Sequence, residues 1–471
     1  MTDMTTLADP DHEPTVVLAG IQLPGVSAEA LDASLDELER LVKTLGMRVV
    51  ARLTQARKGT GDSAVLGAGK LRELAAYTGG PGVVPAGAGR RQKGALPKEQ
   101  AEEEPWQTPE LPESPLAEDE TPPTIIVFDQ ELTPTQLRNV SGATGAEVLD
   151  RSAVILGIFQ RHARTREAKL QVEIARLVYL APRMRATGGG GGGDRQRGGI
   201  GGKGAGESTI ELDRRRARDR IAELRTELLG VQKSSDTRRA RRDERATVAL
   251  IGYTNAGKSS LMRGLTGSQV LVRDQLFATL DTTVRVLEPP SIPPIFVSDT
   301  VGFIKKLPHD LVASFRSTLQ EAREANVLLF VVDASDPAWP SQLKTTRDAL
   351  GDVGAGDLPG VLVLNKADRL DDETRAALTA EHPDAVLMSA HAPTDLAMLR
   401  ARLIAFFEHD MIERELFVSY AQARWVHTIH QSHRVLSERH GDKGTHLMVR
   451  GDRSALVALR DQLRAERAES A

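Results

Sequence analysis

The sequence predicts a multidomain α/β protein in which one domain is built around a mostly parallel sheet. Short apolar runs typical of buried strands alternate with amphipathic helical segments along much of the chain. One such run is followed by residues 252–259, which fit the pattern G-x-x-x-x-G-K-[ST] of a glycine-rich turn between a strand and a helix. The length of 471 residues gives room for three or four domains.

Residues 14–150 are predicted to form a small α/β domain. Strand, helix, strand and strand patterns follow one another at 15–21, 28–45, 47–53 and 124–128. Residues 79–123 are rich in Gly, Pro, Ala and Glu with little apolar content, which predicts a disordered insertion. A Gly-Ala-Gly-Lys segment at 67–70 has the wrong spacing for a phosphate loop, so we read it as a glycine turn.

Residues 151–245 are predicted to form a helical hairpin with a glycine-rich tip. Two apolar series have the spacing of one helix face, namely Leu170, Ile174, Leu177 and Ala181, then Ala217, Ile221, Leu224, Leu228 and Val231. The glycine-dominated stretch 188–206 between them contains Arg195, Arg197 and Lys203. It is either a linker or a mobile cationic finger that enters an RNA-lined space, and its cations favour the finger.

Residues 246–410 contain a predicted phosphate site. The apolar run 247–251 leads into Gly252-Tyr253-Thr254-Asn255-Ala256-Gly257-Lys258-Ser259, and Ser260 can open a helix. Such a loop wraps phosphates with backbone N–H groups and supplies a lysine for the β and γ oxygens and a hydroxyl for Mg²⁺. The helix N-terminus directs its dipole at the phosphates. We therefore assign the phosphates to the loop and Lys258, and Mg²⁺ to Ser259.

A base site is predicted about a hundred residues later, at the end of another apolar run. There, Asn365-Lys366-Ala367-Asp368 places a carboxylate that can accept from N1 and the 2-amino group of guanine. Ser389-Ala390 ends a last strand and can meet the base through backbone N–H groups. Because both motifs follow strands, the sequence predicts a site for GTP and GDP.

The segment between these motifs is predicted to sense the γ-phosphate. Asp299-Thr300-Val301-Gly302 ends a strand, so Asp299 can reach Mg²⁺ through water and the Gly302 N–H can contact the phosphate. Upstream, Phe277-Ala278-Thr279-Leu280-Asp281 lies in a loop. We favour Thr279 as the second Mg²⁺ ligand, with Thr283 as the competitor.

Catalysis is predicted to need outside help. Phe303 occupies the position after D-x-x-G where many small GTPases have a glutamine, and it cannot orient water. Asn255 either helps to hold a potassium ion that bridges the phosphates or only stabilises the loop turn. Lys258 and Gly302 are predicted to contact the phosphates during catalysis. Both alternatives for Asn255 predict slow intrinsic hydrolysis that a partner accelerates.

Residues 411–471 are predicted to form a small α+β domain. Its patterns are a strand at 415–418, a helix at 422–439, a strand at 445–450 and a helix at 454–466. His427, His430 and His433 have helical spacing, which suggests a metal site. Because no further ligand completes a site, we favour a partly exposed helix face.

Composition limits the class of protein. The chain has no cysteine, which excludes disulfides and thiolate metal sites. No apolar run is long enough for a membrane span and no secretion signal is evident, so we expect a cytoplasmic protein. The net charge is -4, yet residues 99–120 hold nine acidic side chains and no Lys or Arg. The remainder is basic, which suggests a polyanionic partner.

Taken together, these motifs resemble the HflX family of GTPases. The resemblance rests on residues 252–259, 277–281 and 299–303, and on Gly201-Gly202-Lys203-Gly204-Ala205-Gly206-Glu207 and Glu211-Leu212-Asp213-Arg214-Arg215 in the hairpin. It covers about residues 15 to 450. Two features depart from the family pattern: the acidic insertion, and Thr282 at a position where many relatives have proline. Neither one changes a residue that is assigned to the phosphates, Mg²⁺ or the base.

The resemblance implies a factor that binds the large ribosomal subunit near its peptidyl transferase centre. Its GTP form would split or rescue stalled ribosomes under stress, and the ribosome would stimulate hydrolysis. The resemblance also implies that Thr279 is the threonine that binds Mg²⁺. We expect the protein to act as a monomer. The alternative is a GTPase of ribosome assembly or RNA modification, of the Era, Obg or TrmE type, although modification enzymes of this type usually need a catalytic cysteine.

Overall fold

The structure, a computed structural model, describes residues 13–84, 116, 121–183, 209–239, 246–267, 276–277, 283–306, 321–352, 354–409 and 411–469. The described residues fall into two compact units, one that extends to Gln232 and one that begins at Lys233. Most of the predicted insertion 79–123 and the glycine-rich tip 188–206 lie outside the described residues.

Residues up to Gln232 supply four strands, five complete helices and most of a sixth helix. In chain order these elements are β1 (Thr15–Gln22), α1 (Ala28–Thr44), β2 (Arg48–Ala56), α2 (Ala68–Thr78), β3 (Ile125–Phe128), α3 (Pro134–Thr144), β4 (Glu147–Asp150), α4 (Arg151–His162), α5 (Arg166–Leu180) and α6 (Thr209–Arg239).

The first sheet has four parallel strands in the order β2-β1-β3-β4. The central strands β1 and β3 are buried along almost their whole length and read as near-continuous apolar runs, as is typical of a parallel sheet. Arg151, at the start of α4, is 1% exposed and donates to the carboxylates of Glu37 (2.7 Å) and Asp129 (2.9 Å). These ion pairs join α1, the end of β3 and α4.

The helical segment differs from the prediction at its start. The hairpin was expected from residue 151, but Arg151–His162 forms a separate helix, α4, which is buried over most of its length. Its apolar residues lie on all sides, so no amphipathic period marks it. The two periodic segments do form helices, and α5 and α6 pack through Leu170, Ile174, Ile221 and Leu224.

The second unit contains a six-stranded sheet and a three-stranded sheet. Its elements are β5 (Thr247–Gly252), α7 (Lys258–Thr266), β6 (Thr283–Val286), β7 (Phe296–Asp299), β8 (Val327–Asp333), α8 (Trp339–Asp352), β9 (Gly360–Asn365), α9 (Asp372–Glu381), β10 (Val386–Leu387), α10 (Pro393–His409), β11 (Ile412–Ser419), α11 (Arg424–Ser432), β12 (Arg434–Gly441), β13 (Gly444–Gly451) and α12 (Arg453–Glu469).

The six-stranded sheet has the order β10-β9-β8-β5-β7-β6. All neighbouring strands are parallel except β6, which is antiparallel to β7. The predicted fold class, α/β with a mostly parallel sheet, is therefore confirmed. The carboxyl ends of β5, β7, β8 and β9 share one edge of this sheet, which is where ligands bind in open α/β sheets.

The last sheet is antiparallel, with the order β11-β13-β12. The helix predicted over 422–439 is wrong in its second half, because α11 ends at Ser432 and residues from Arg434 pair with β13. His427 and His430 lie in α11, whereas His433 follows its end in an extended conformation. Within the described residues, we find no cluster of three or more His, Asp or Glu side chains arranged to hold a metal ion, and no helix whose length and hydropathy would let it traverse a bilayer.

Candidate nucleotide site

The glycine-rich loop turns between β5 and α7. Asn255 and Gly257 both have left-handed backbone conformations, with φ of 61° and 95°. A Cβ on Gly257 would lie 2.2 Å from Nδ2 of Asn365, and one on Gly252 would lie 2.1 Å from the carbonyl oxygen of Val331. Only glycine fits at these two positions, because the backbone of β8 lies against Gly252 and the buried Asn365 side chain lies against Gly257.

Lys258, the first residue of α7, is 6% exposed. Its ammonium donates to the carbonyl oxygens of Gly252 (3.0 Å) and Tyr253 (2.8 Å). Burial lowers the pKa of Lys258 to about 8, and the nearby carboxylate of Asp299 only partly opposes this shift. A buried cation of this kind suits a polyanionic ligand, because phosphate oxygens would stabilise the charged form.

The Ser259 hydroxyl donates to Oδ2 of Asp299 at 2.9 Å, which brings a hydroxyl and a carboxylate together at the ends of the loop and β7. These are oxygen ligands of the type that Mg²⁺ prefers. Thr283, the competitor for the Mg²⁺ role, pairs with Asp299 across β6 and β7. Its buried hydroxyl has no hydrogen-bond partner in the described part of the chain.

Asn365 connects the phosphate loop to the base loops. Its side chain is buried, donates to the Ala256 carbonyl (2.9 Å) and accepts from the Ala390 N–H (3.0 Å). Two positions beyond Lys366, Asp368 accepts from the Ser389 hydroxyl at 2.5 Å, and this hydrogen bond holds the pKa of Asp368 below its usual value. The carboxylate therefore stays ionised and can accept hydrogen bonds from a base.

The structure brings together the predicted residues of the phosphate loop, the 299–302 segment and the two base loops. Phe277 is buried with a φ of 57°, whereas Ala278, Thr279, Leu280 and Asp281 lie outside the described residues. The sequence prediction missed Asp333, whose carboxylate binds the ammonium of Lys366 at 2.7 Å. Its position could have been noticed in the sequence, because Asp333 is an acidic residue at the end of the apolar run that forms β8.

Models of three protein families match this chain. Residues 32–82 and 113–160 match a GTP-binding GTPase N-terminal region, 162–242 a GTP-binding GTPase middle region, and 247–366 a 50S ribosome-binding GTPase. A GTPase HflX of Gluconacetobacter diazotrophicus is 56% identical over 96% of this chain and 98% of its own length. The chain belongs to the HflX family. A GTPase HflX of Magnetococcus marinus is 35% identical over 95% of this chain and 94% of its own length.

HflX membership confirms the resemblance seen in the motifs, and it identifies the protein as a GTPase that hydrolyses GTP to GDP and phosphate. The family model that covers the phosphate loop and Asn365 is described as ribosome-binding, which makes this a GTPase of a ribosome-associated family. A GTP-binding protein from Sulfolobus solfataricus, solved in complex with GDP, aligns over 83% of this chain and 97% of its own length, at 22% identity and a TM-score of 0.41.

Proposed function

We propose that this GTPase binds the large ribosomal subunit near the peptidyl transferase centre. In its GTP form it splits or rescues stalled ribosomes under stress, and it acts as a monomer. The observation that carries the proposal is an HflX-type nucleotide site in a chain that also contains a helical pair with a cationic surface.

The cationic surface is formed by exposed arginines of α6 that lie outside the stripe of residues packed against α5. Ala217, Ile221 and Leu224 are buried, while five arginines of the same helix are exposed: Arg215, Arg216, Arg218, Arg220 and Arg225. Arg216 pairs with Asp213 and Arg220 with Glu173 and Glu223, so acidic neighbours balance part of this charge. Arginines on an exposed helix face are well placed to contact the phosphates of ribosomal RNA.

The proposed chemistry follows from the contacts of the site. The loop amides and Lys258 hold the β- and γ-phosphates, and Asp368 binds guanine. The hydroxyls of Ser259 and Thr279 would hold Mg²⁺, which would neutralise charge on the phosphates. The Gly302 N–H contacts the γ-phosphate, so loss of that phosphate releases the segment after Asp299.

Catalysis in this proposal depends on groups beyond the loop. Phe303 is 6% exposed and has no side-chain group that could orient the attacking water. Asn255 is exposed in the left-handed turn of the loop, where its amide oxygen can help to hold K⁺ beside the phosphates. The large subunit supplies the remaining acceleration.

Co-sedimentation with purified ribosomal subunits tests the proposal. With a non-hydrolysable GTP analogue, the full-length protein should pellet with large but not small subunits, and GDP should weaken binding. Replacing Arg215, Arg218 and Arg225 with Glu should reduce binding without changing guanine-nucleotide affinity. Arg40→Glu, at an exposed position of α1, is the control for a charge reversal outside α6.

Two outcomes would contradict the proposal. One is failure of the wild type to pellet with large subunits when the GTP analogue is bound. The other is equal binding by the triple variant and the wild type, which would remove α6 from the RNA interface. Light scattering of intact ribosomes would then test splitting, because dissociation into subunits lowers the scattered intensity.

A further inference from the structure

The pairing of β5 with β7 continues beyond both strands, but with one extra residue on the β7 side. Leu250 pairs with Asp299, and the next pair is a parallel bridge between Tyr253 and Phe303. Residues 251–252 therefore face residues 300–302. Such a bulge changes the direction of the backbone locally, and here it contains Gly302.

Hydrogen bonds hold both sides of this bulge. At its first residue, the Thr300 hydroxyl donates to the Leu250 carbonyl at 2.8 Å. After it, the Phe303 N–H donates to the Gly252 carbonyl (3.1 Å), and the Thr254 N–H donates to the Phe303 carbonyl (2.8 Å). The segment that contains Gly302 is thus tied along its length to the phosphate loop.

The Tyr253 side chain adds one more contact beyond the last backbone pair. Its phenol oxygen accepts from the backbone N–H of Lys305 at 2.6 Å, and the residue is 4% exposed. Tyr253 of the phosphate loop therefore contacts the segment after Gly302 twice, through its backbone bridge to Phe303 and through its side chain to Lys305.

Gly302 lies directly against the loop as a result. A Cβ on Gly302 would be 2.9 Å from Cα of Thr254 and 3.1 Å from Nζ of Lys258. The backbone of Gly302 is therefore close to the ammonium that is assigned to the phosphates. A small displacement of residues 303–305 would move this backbone relative to Lys258.

We propose that Tyr253 is a positioning residue for hydrolysis. By accepting from Lys305, its phenol oxygen holds the segment after Asp299 so that the Gly302 N–H points at the γ-phosphate. This role rests on the proposed γ-phosphate contact of Gly302. It predicts that Tyr253 matters for GTP and its turnover but not for GDP, which has no γ-phosphate.

Tyr253→Phe tests the role, because it removes the acceptor and keeps the ring. In the full-length protein, kcat/KM for GTP and the affinity for a non-hydrolysable GTP analogue should each fall about fivefold, the effect of one net hydrogen bond. GDP affinity should stay within about twofold of wild type. Tyr420→Phe is the matched control, because its phenol donates to the Gly441 carbonyl in the last sheet, and it should change none of these values.

The donor side gives a second test. Lys305→Pro removes the N–H that Tyr253 accepts, whereas Lys305→Ala keeps it. Lys305→Pro should reproduce the loss, Lys305→Ala should not, and Lys305→Pro combined with Tyr253→Phe should be no worse than Lys305→Pro alone.

Two results would overturn the role of Tyr253. They are wild-type kinetics in Tyr253→Phe, or a loss of GDP affinity as large as the loss of GTP-analogue affinity. The second result would mean that the tyrosine only maintains the loop. A wild-type protein that binds neither nucleotide would instead refute the site itself, so the two failures are distinguishable.

Discussion

Lys258 should make nucleotide affinity depend on pH, because burial lowers the pKa of its ammonium to about 8 in the free protein. Phosphates that contact the ammonium raise its pKa, so the bound protein stays protonated where the free protein does not. Affinity should therefore be full below pH 8 and fall as the pH rises through it. About one free molecule in eleven carries the proton at pH 9, so the affinity for GDP should drop about tenfold between pH 7 and pH 9, or about 1.4 kcal/mol.

Fluorescence titration with a labelled GDP at constant ionic strength measures this drop. Lys258→Met is the control, because it keeps an unbranched side chain of similar length without a titratable group and reports the pH response of the nucleotide itself. Its weaker affinity should vary little over the same range. Equal slopes for the wild type and Lys258→Met, or no slope in the wild type, would refute the role of Lys258 as a buried phosphate ligand.

Three further predictions concern other residues. Asp368→Asn should lower GTP affinity at least about a hundredfold and favour xanthine nucleotides, and unchanged GTP preference would refute its role. Arg151→Met should destabilise the unit up to Gln232 by about 3 to 5 kcal/mol, because Glu37 and Asp129 lose their partner. Thermal unfolding measures this loss, while GDP affinity should be unchanged. If Asn255 holds K⁺, hydrolysis should be several-fold faster in KCl than in NaCl, and Asn255→Gly should abolish the difference; equal rates in the wild type would favour the loop-turn role.

Local sequence pattern was sufficient for the sheet strands near the site. The apolar run 247–251 corresponds to β5, and the run before Asn365 corresponds to β9. Pattern was not sufficient over 422–439, because pairing with β13 makes a strand of residues whose helical period continued from α11. It also did not separate α4 from the hairpin, because a helix that is buried on all sides has no amphipathic period.

For the site, the motifs predicted which residues would meet, since each follows the carboxyl end of a strand in one parallel sheet. The contacts that join the motifs were not predictable. Asn365 bonds to Ala256, 109 positions away, and Tyr253 bonds to Lys305, 52 positions away. Such pairs depend on the register of neighbouring strands and on a bulge, and neither leaves a local mark in the sequence.

The rate of GTP hydrolysis in the presence of ribosomal subunits tests the central claim most directly. The wild-type protein should hydrolyse GTP slowly alone, at least about tenfold faster with purified large subunits, and no faster with small subunits. The same slow rate under all three conditions would contradict a GTPase that is switched by the large ribosomal subunit.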